Sequence, residues 1–151
     1  APYATWIAEG WITELPGEVL DYRMIKADIL EDAARFRLQE VAFDRWNASQ
    51  MVSELQDEGL PMIEFAQGPK SFNPAMQALE AAYVSGKLCH GGNPVLTWNA
   101  TNLVPRRDAN LNLAPDRKRS ADKIDGMVAL LMAIGRASLA VQGQGDLVVS
   151  L

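Results

Sequence analysis

Residues Ser120–Ala137 read SADKIDGMVALLMAIGRA, and the rest of the chain is best read outward from them. From Gly126 onward, Met127, Val128, Leu130, Leu131, Met132 and Ile134 leave almost no polar side. A helix that is apolar all round is a buried helix. Ser120 is a candidate N-cap, and Asp125 falls at the entrance to the core helix. A carboxylate in that place has two readings. The helix dipole favours acids in the first turn by about 0.3–1 kcal/mol. Alternatively, the acid serves a metal ion. This stretch alone leaves both open.

The chain has 151 residues, 48% hydrophobic and 22% charged, enough for one domain with a real core. No apolar run reaches the roughly 18 residues of a membrane span. No basic-then-apolar signal segment opens the chain. The one cysteine, Cys89, has no partner for an internal disulfide, which fits a reducing compartment. The first residue is Ala1 rather than Met, so a processed or excised piece is expected.

The net charge of −5 argues weakly against nucleic acid, but its distribution says more. Residues 105–123 carry six bases (Arg106, Arg107, Arg117, Lys118, Arg119 and Lys123) against three acids, Asp108, Asp116 and Asp122. That segment is +3 and the remainder −8. A basic patch on an acidic body suits phosphate contact at one place, and it suits a solvated loop equally well.

Tyr3, Trp6 and Ile7 recur at helical spacing, and Gly10 suits the position just past a helix end. Trp11–Thr13 and Val19–Leu20 read as short strands around a Pro16-Gly17 turn. Asp21 is the candidate N-cap of a helix reaching about Leu38. Glu40–Phe43 reads as a short buried strand ending at Asp44. Asn47 with Gln50 resembles a capping box, opening a helix that Gly59 closes. Pro61–Phe65 is the next strand. Asn73-Pro74 is expected to start a helix that stops at Gly86, and Asn93-Pro94 repeats that chemistry after an extended Lys87–His90. Leu103–Asp108 and Leu111–Pro115 read as a hairpin around Ala109-Asn110. Residues 140–151 read as a tail or linker beyond a domain of residues 1–139. Strands alternating with helices imply an α/β fold with parallel pairing.

Asp44 lies just beyond a strand's carboxyl end, where ligands bind in open α/β sheets. The competing reading is an ordinary turn or cap acid. Asp44 and Asp125 form a possible metal-binding pair, because converging carboxylates repel unless a cation neutralises them, and hard oxygen ligands favour Mg²⁺ or Mn²⁺. Asp122, three residues before Asp125, would share its helical face and is an auxiliary candidate. Other chemistries lack their residues: there is no Gly-rich phosphate loop, no HExxH and no Cys/His zinc cluster. Cys89 and His90 are neighbours on an extended segment and point apart, which disfavours a nucleophile pair. His90 is instead structural or phosphate-contacting. Trp6, Trp11, Trp46 and Trp98 read as core or interface anchors.

Several segments together resemble the C-terminal nuclease domain of the terminase large subunit of tailed bacteriophages, the HK97-like group. They are Tyr3-x-x-Trp6-x-x-x-Gly10, Pro16-Gly17 followed by Leu20-Asp21-Tyr22, Phe43-Asp44-Arg45-Trp46, His90-Gly-Gly-Asn93-Pro94-Val95-Leu96-Thr-Trp98, and Lys123-Ile124-Asp125-Gly126-x-x-Ala129-Leu130. Their order across roughly residues 3–138 makes the set fairly specific.

The resemblance implies an RNase H-like mixed sheet flanked by helices. It implies a two-metal, Mg²⁺- or Mn²⁺-dependent endonuclease that cuts concatemeric double-stranded DNA during packaging in the host cytoplasm, from a phage or a prophage. Asp44 then matches the acid after the central strand, and Asp125 the Lys-Ile-Asp-Gly acid. The basic segment, with His90, would contact DNA. The expected partners are an upstream ATPase domain of the same protein, the portal and the small terminase subunit, with no membrane.

The resemblance also implies a first strand bearing another acid, and no segment here matches it. That strand is expected upstream of Ala1. This would leave an incomplete sheet, inactive alone and prone to self-association. Two alternatives stand beside the nuclease: a non-catalytic DNA- or protein-binding module of a packaging complex, and an RNase H-like resolvase or transposase relative.

Overall fold

In the computed structural model, residues 1–46, 49–141 and 149–150 are described. The chain divides into two compact units, Ala1–Phe65 and Ala66–Leu151.

In the first unit, α1 (Tyr3–Ala8) ends as its sequence implies. The Trp11 and Gly10 amides donate to the carbonyls of Trp6 and Ile7, and Gly10 takes φ +77°. This is a Schellman closure, which needs a left-handed residue where only glycine is unstrained. The same bonding closes α3 at Gly59 and α4 at Gly86. Trp11–Thr13 and Val19–Leu20 are not strands. The amides of Trp11 and Ile12 both turn back to Trp6, which removes them from any ladder.

The Asp21 side chain accepts from the Arg23 amide and caps α2 (Tyr22–Arg35), which stops three residues short of Leu38 where Phe36 becomes extended. The strand β1 (Val41–Phe43) leads through α3 (Ser49–Asp57) to β2 (Met62–Glu64). The two strands pair in parallel, with Val41 opposite Met62 and Phe43 opposite Glu64. A parallel pair needs such a crossover. Asn47, expected in a capping box, lies outside the described residues, and the Gln50 side chain bonds Glu54 one turn on. Lys26 ties α2 to α3 through Glu58 at 3.2 Å and Glu54 at 3.5 Å. Trp6, Val52, Leu55 and Phe65 are the unit's buried apolar side chains.

The second unit is built on α4 (Pro69–Val84), α5 (Pro94–Asn102) and α6 (Asp125–Val141). Asn73 is not the cap of α4. The helix begins five residues earlier, with Gly68 at the N-cap and Pro69 in the first position, and carries Pro74 inside. The Asn73 side chain instead accepts from the Leu113 amide at 3.0 Å, tying α4 to the hairpin. Asn93 caps α5 as expected, accepting from the Leu96 amide at 3.0 Å. The hairpin of β4 (Pro105–Arg107) and β5 (Leu113–Pro115) is antiparallel.

Leu131 of α6 is 0% exposed, and Ile134, 2% exposed, forms a buried cluster with Ala82, Met127 and Leu130. The large apolar side chains of the stretch are thus enclosed, while its small residues Gly126, Ala129 and Ala133 form an exposed side. Ser120 does not cap it. Residues 117–122 turn before the helix, and the Ser120 hydroxyl donates to the Asp116 carbonyl and accepts from the Val104 amide.

Of the segment expected as a tail, α6 continues to Val141, and β6 (Val149–Ser150) pairs in parallel with β3 (Leu88–Cys89). Residues 142–148 and 151 lie outside the described residues. The architecture is mixed α/β, with six helices among the described residues. Among the described residues the strands form three two-stranded sheets rather than one mixed sheet.

Candidate functional site

Asp44 follows the last residue of β1, at the carboxyl end of the parallel pair, and is half-buried. Its Oδ1 accepts from the Trp46 amide at 3.5 Å, a long contact that leaves the carboxylate's other lone pairs to outside partners. Glu64, not singled out from sequence, ends β2 at the same edge and lies 4.0 Å from Arg45. Trp46 is 82% exposed and Trp11 44%, so neither anchors a core; Trp6 is buried and Trp98 half-buried.

Asp125 is the first residue of α6 and projects into solvent, its side chain 67% exposed. A buried helix thus presents its one acid at its end, where hydration is kept. Two neighbours hold it there. Asn99, buried in α5, accepts the Gly126 amide through Oδ1 at 2.8 Å and donates through Nδ2 to the Val95 carbonyl at 3.0 Å. It fills the capping role expected of Ser120, from a different helix. Asn99 also explains the glycine after Asp125: a Cβ at Gly126 would sit 3.3 Å from Asn99 Oδ1 and 3.7 Å from Leu96 Cδ1. The second neighbour is Arg117, whose Nη1 lies 3.5 Å from Asp125 Oδ1.

Asp122 is exposed and precedes the helix, its Oδ1 accepting from the Lys123 amide at 2.8 Å. The shared helical face expected for Asp122 and Asp125 therefore does not exist. Among the described residues no three His, Cys, Asp or Glu side chains gather as a ready-made metal cage. Asp44 and Asp125 are each hard oxygen donors, the type that Mg²⁺ and Mn²⁺ take, and among the described residues neither is consumed by strong internal bonds.

Arg106, Arg107, Arg117, Lys118, Arg119 and Lys123 are all exposed. Arg106 and Arg107 are adjacent on β4 and so leave the ribbon on opposite faces, which divides the pair between two surfaces. Arg117, Lys118 and Arg119 ride on a fixed turn. Asp116 Oδ1 accepts from the amides of Lys118 (3.1 Å) and Arg119 (3.2 Å), and the Asp116 amide donates to Val104 at 2.8 Å. The hairpin tip is fixed likewise: Asp108 accepts from the Asn110 and Asn112 amides, both at 2.9 Å, and from the Asn112 side chain at 3.0 Å. Those bonds, the Asn112 side chain foremost, hold the Asp108 pKa below its ordinary value. His90 is half-buried; its carbonyl accepts the Asn93 amide and its Nδ1 is enclosed without a partner among the described residues.

The family described as "Terminase large subunit, endonuclease domain" matches residues 1–140. This chain belongs to that family. The terminase large subunit of Enterobacteria phage HK97 is 41% identical over 147 residues, covering 96% of this chain and 29% of that protein. Protein YmfN of Escherichia coli K12 is 32% identical over 139 residues, covering 91% of this chain and 30% of its own length. The crystal structure of the HK97 bacteriophage large terminase superposes with a TM-score of 0.82 at 40% identity, covering 90% of this chain and 29% of that one. The chain thus spans about three-tenths of the length of these relatives. Of the two candidate acids, Asp44 lies in the first unit of this terminase domain and Asp125 in the second.

Proposed function

We propose that this domain is the DNA endonuclease of a terminase large subunit, cutting concatemeric viral DNA within a packaging complex in the host cytoplasm. The carrying observation is that Asp125 is held outward at the head of an otherwise apolar, buried helix, by a cap supplied from another helix. A dipole alone does not call for that construction. The fold proposed for the complete nuclease is RNase H-like, and its β1 edge would take the further strand the family resemblance implies.

Asp44 and Asp125 are the proposed ligands of a Mg²⁺ or Mn²⁺ centre. Two such ions would polarise the phosphodiester and stabilise the attacking and leaving oxygens. The chain's own residues do the positioning. Asn99 and Gly126 set the direction of Asp125, and the end of β1 sets Asp44. The cations of the hairpin and of the turn after it contact the phosphates flanking the cut. ATP-driven translocation and contacts with portal and small subunit are assigned to the rest of the large subunit.

A non-catalytic DNA-binding role is favoured by one observation, the absence of a three-ligand cluster among the described residues. Cleavage separates the two. The intact large subunit should cut duplex DNA with Mg²⁺ or Mn²⁺. Asp44→Ala and Asp125→Ala should each abolish cutting while leaving the circular dichroism spectrum intact. Wild-type cleavage by either variant would remove that residue from the centre.

A further inference from the structure

The nuclease reading counts Arg117 among the phosphate contacts but leaves its carboxylate partner, Asp125, unexplained. It sits on the rigid turn after β5, and its guanidinium is divided between two acceptors. Nη1 lies 3.5 Å from Asp125 Oδ1, and Nη2 lies 3.4 Å from Gln67 Oε1. Gln67 is itself tied to α6 through Met132 Sδ at 3.6 Å. Each contact is at the long end of hydrogen bonding, and the Arg117 side chain is 55% exposed. An exposed pair of this kind is weak and readily exchanged. Lys118 and Arg119, its neighbours on the turn, are exposed as well.

We propose that Arg117 is a metal-gated phosphate contact. Without metal it neutralises Asp125. When a divalent cation takes Asp125, the guanidinium is displaced and becomes free to bind a DNA phosphate beside Lys118 and Arg119. A planar fork suits carboxylate and phosphate equally, so one side chain serves both states. The exchange couples the ligands in both directions, because a phosphate that draws Arg117 away also frees Asp125 for metal. Cation and DNA then each favour the other's binding with no change of fold. The proposal rests on Asp125 being a metal ligand.

The test measures how DNA affinity depends on salt, using the intact large subunit and a short duplex. Each phosphate contact adds about 0.9 to the log–log slope. The slopes of the wild type and Arg117→Gln should differ less without divalent cation than with it. They should differ by about 0.9 in Ca²⁺, a hard cation that takes the same oxygen ligands. Comparing the two proteins in the same buffer cancels the effect of Ca²⁺ on the DNA itself. Asp125→Asn should display the steeper, Arg117-dependent slope even without Ca²⁺. A slope difference that is the same with and without Ca²⁺ overturns the gate. Calorimetric Ca²⁺ titration without DNA separates the underlying reading. If Asp125→Asn leaves Ca²⁺ affinity unchanged, Asp125 is not a ligand and both ideas fall. If it weakens Ca²⁺ while Arg117→Gln shows no metal-dependent slope, only the gate falls.

Discussion

Asn99 Oδ1 accepts the amide of Gly126 at 2.8 Å, joining the middle of one helix to the first turn of another. Asn99 is buried and its amide nitrogen is also engaged, by the Val95 carbonyl, so it has little room to yield. Asn99→Ala is expected to cost about 1–2 kcal/mol, the scale of a lost cap and a buried amide left without its partner. Gly126→Ala should destabilise the wild type by crowding Asn99. In the Asn99→Ala background the same change should stabilise, since alanine is the better helix former by about 1 kcal/mol. Urea unfolding of the four proteins measures this, and an equal effect of Gly126→Ala in both backgrounds would contradict the crowding.

Leu131 is the most enclosed residue of α6. Leu131→Ala should lower stability by about 2–5 kcal/mol through reduced burial and the cavity left behind. Ala129→Ser, on the exposed side of the same helix, should change it by less than about 0.7 kcal/mol. Thermal or denaturant melts compare the two.

The hairpin tip should respond to acid. Asp108 has a lowered folded-state pKa, so its contribution is present above the ordinary carboxylate pKa and disappears as pH falls through the depressed value. Amide exchange at Asn110 and Asn112 should therefore accelerate below the usual Asp range once intrinsic rates are corrected. Asp108→Asn should show raised exchange with no such pH step. A step of equal size in the variant would assign the effect to another group.

Phosphate binding by the basic segment is expected to be strongly salt-dependent and indifferent to sequence. Replacing Arg106, Arg107, Arg117, Lys118 and Arg119 together with Ala should flatten the log–log salt slope by about 0.9 for each phosphate that is no longer neutralised. Arg106 and Arg107 leave β4 on opposite faces, so single replacements should affect DNA affinity unequally. Unchanged affinity in the fivefold variant would leave the segment a solvated loop.

What is legible in the sequence is whatever is encoded locally. The apolar run after Gly126, the Asp21 and Asn93 caps, the glycines closing α1, α3 and α4, and the hairpin around Ala109-Asn110 all appear as their residues imply. Two helix starts depart from their sequence signals because the expected capping side chain is claimed from far along the chain. Asn73 has the signature of a cap but serves Leu113, forty residues on. Ser120 has the same signature but braces Val104. The true partner of α6 is Asn99, whose neighbours Asn-Ala-Thr carry no signal of burial. Asp125 is visible because an acid contradicts the apolar pattern around it. Gln67 and Arg117 are not visible as partners, since their proximity exists only in the fold.

The central claim is that Asp44 and Asp125 are ligands of the proposed Mg²⁺ or Mn²⁺ centre. The measurement is anomalous scattering from crystals of the intact large subunit grown with Mn²⁺. A Mn²⁺ peak is predicted about 2.1 Å from a carboxylate oxygen of each residue, with water filling open positions. A Mn²⁺ centre held by only one of them, with the other too distant to reach it, would contradict the claim.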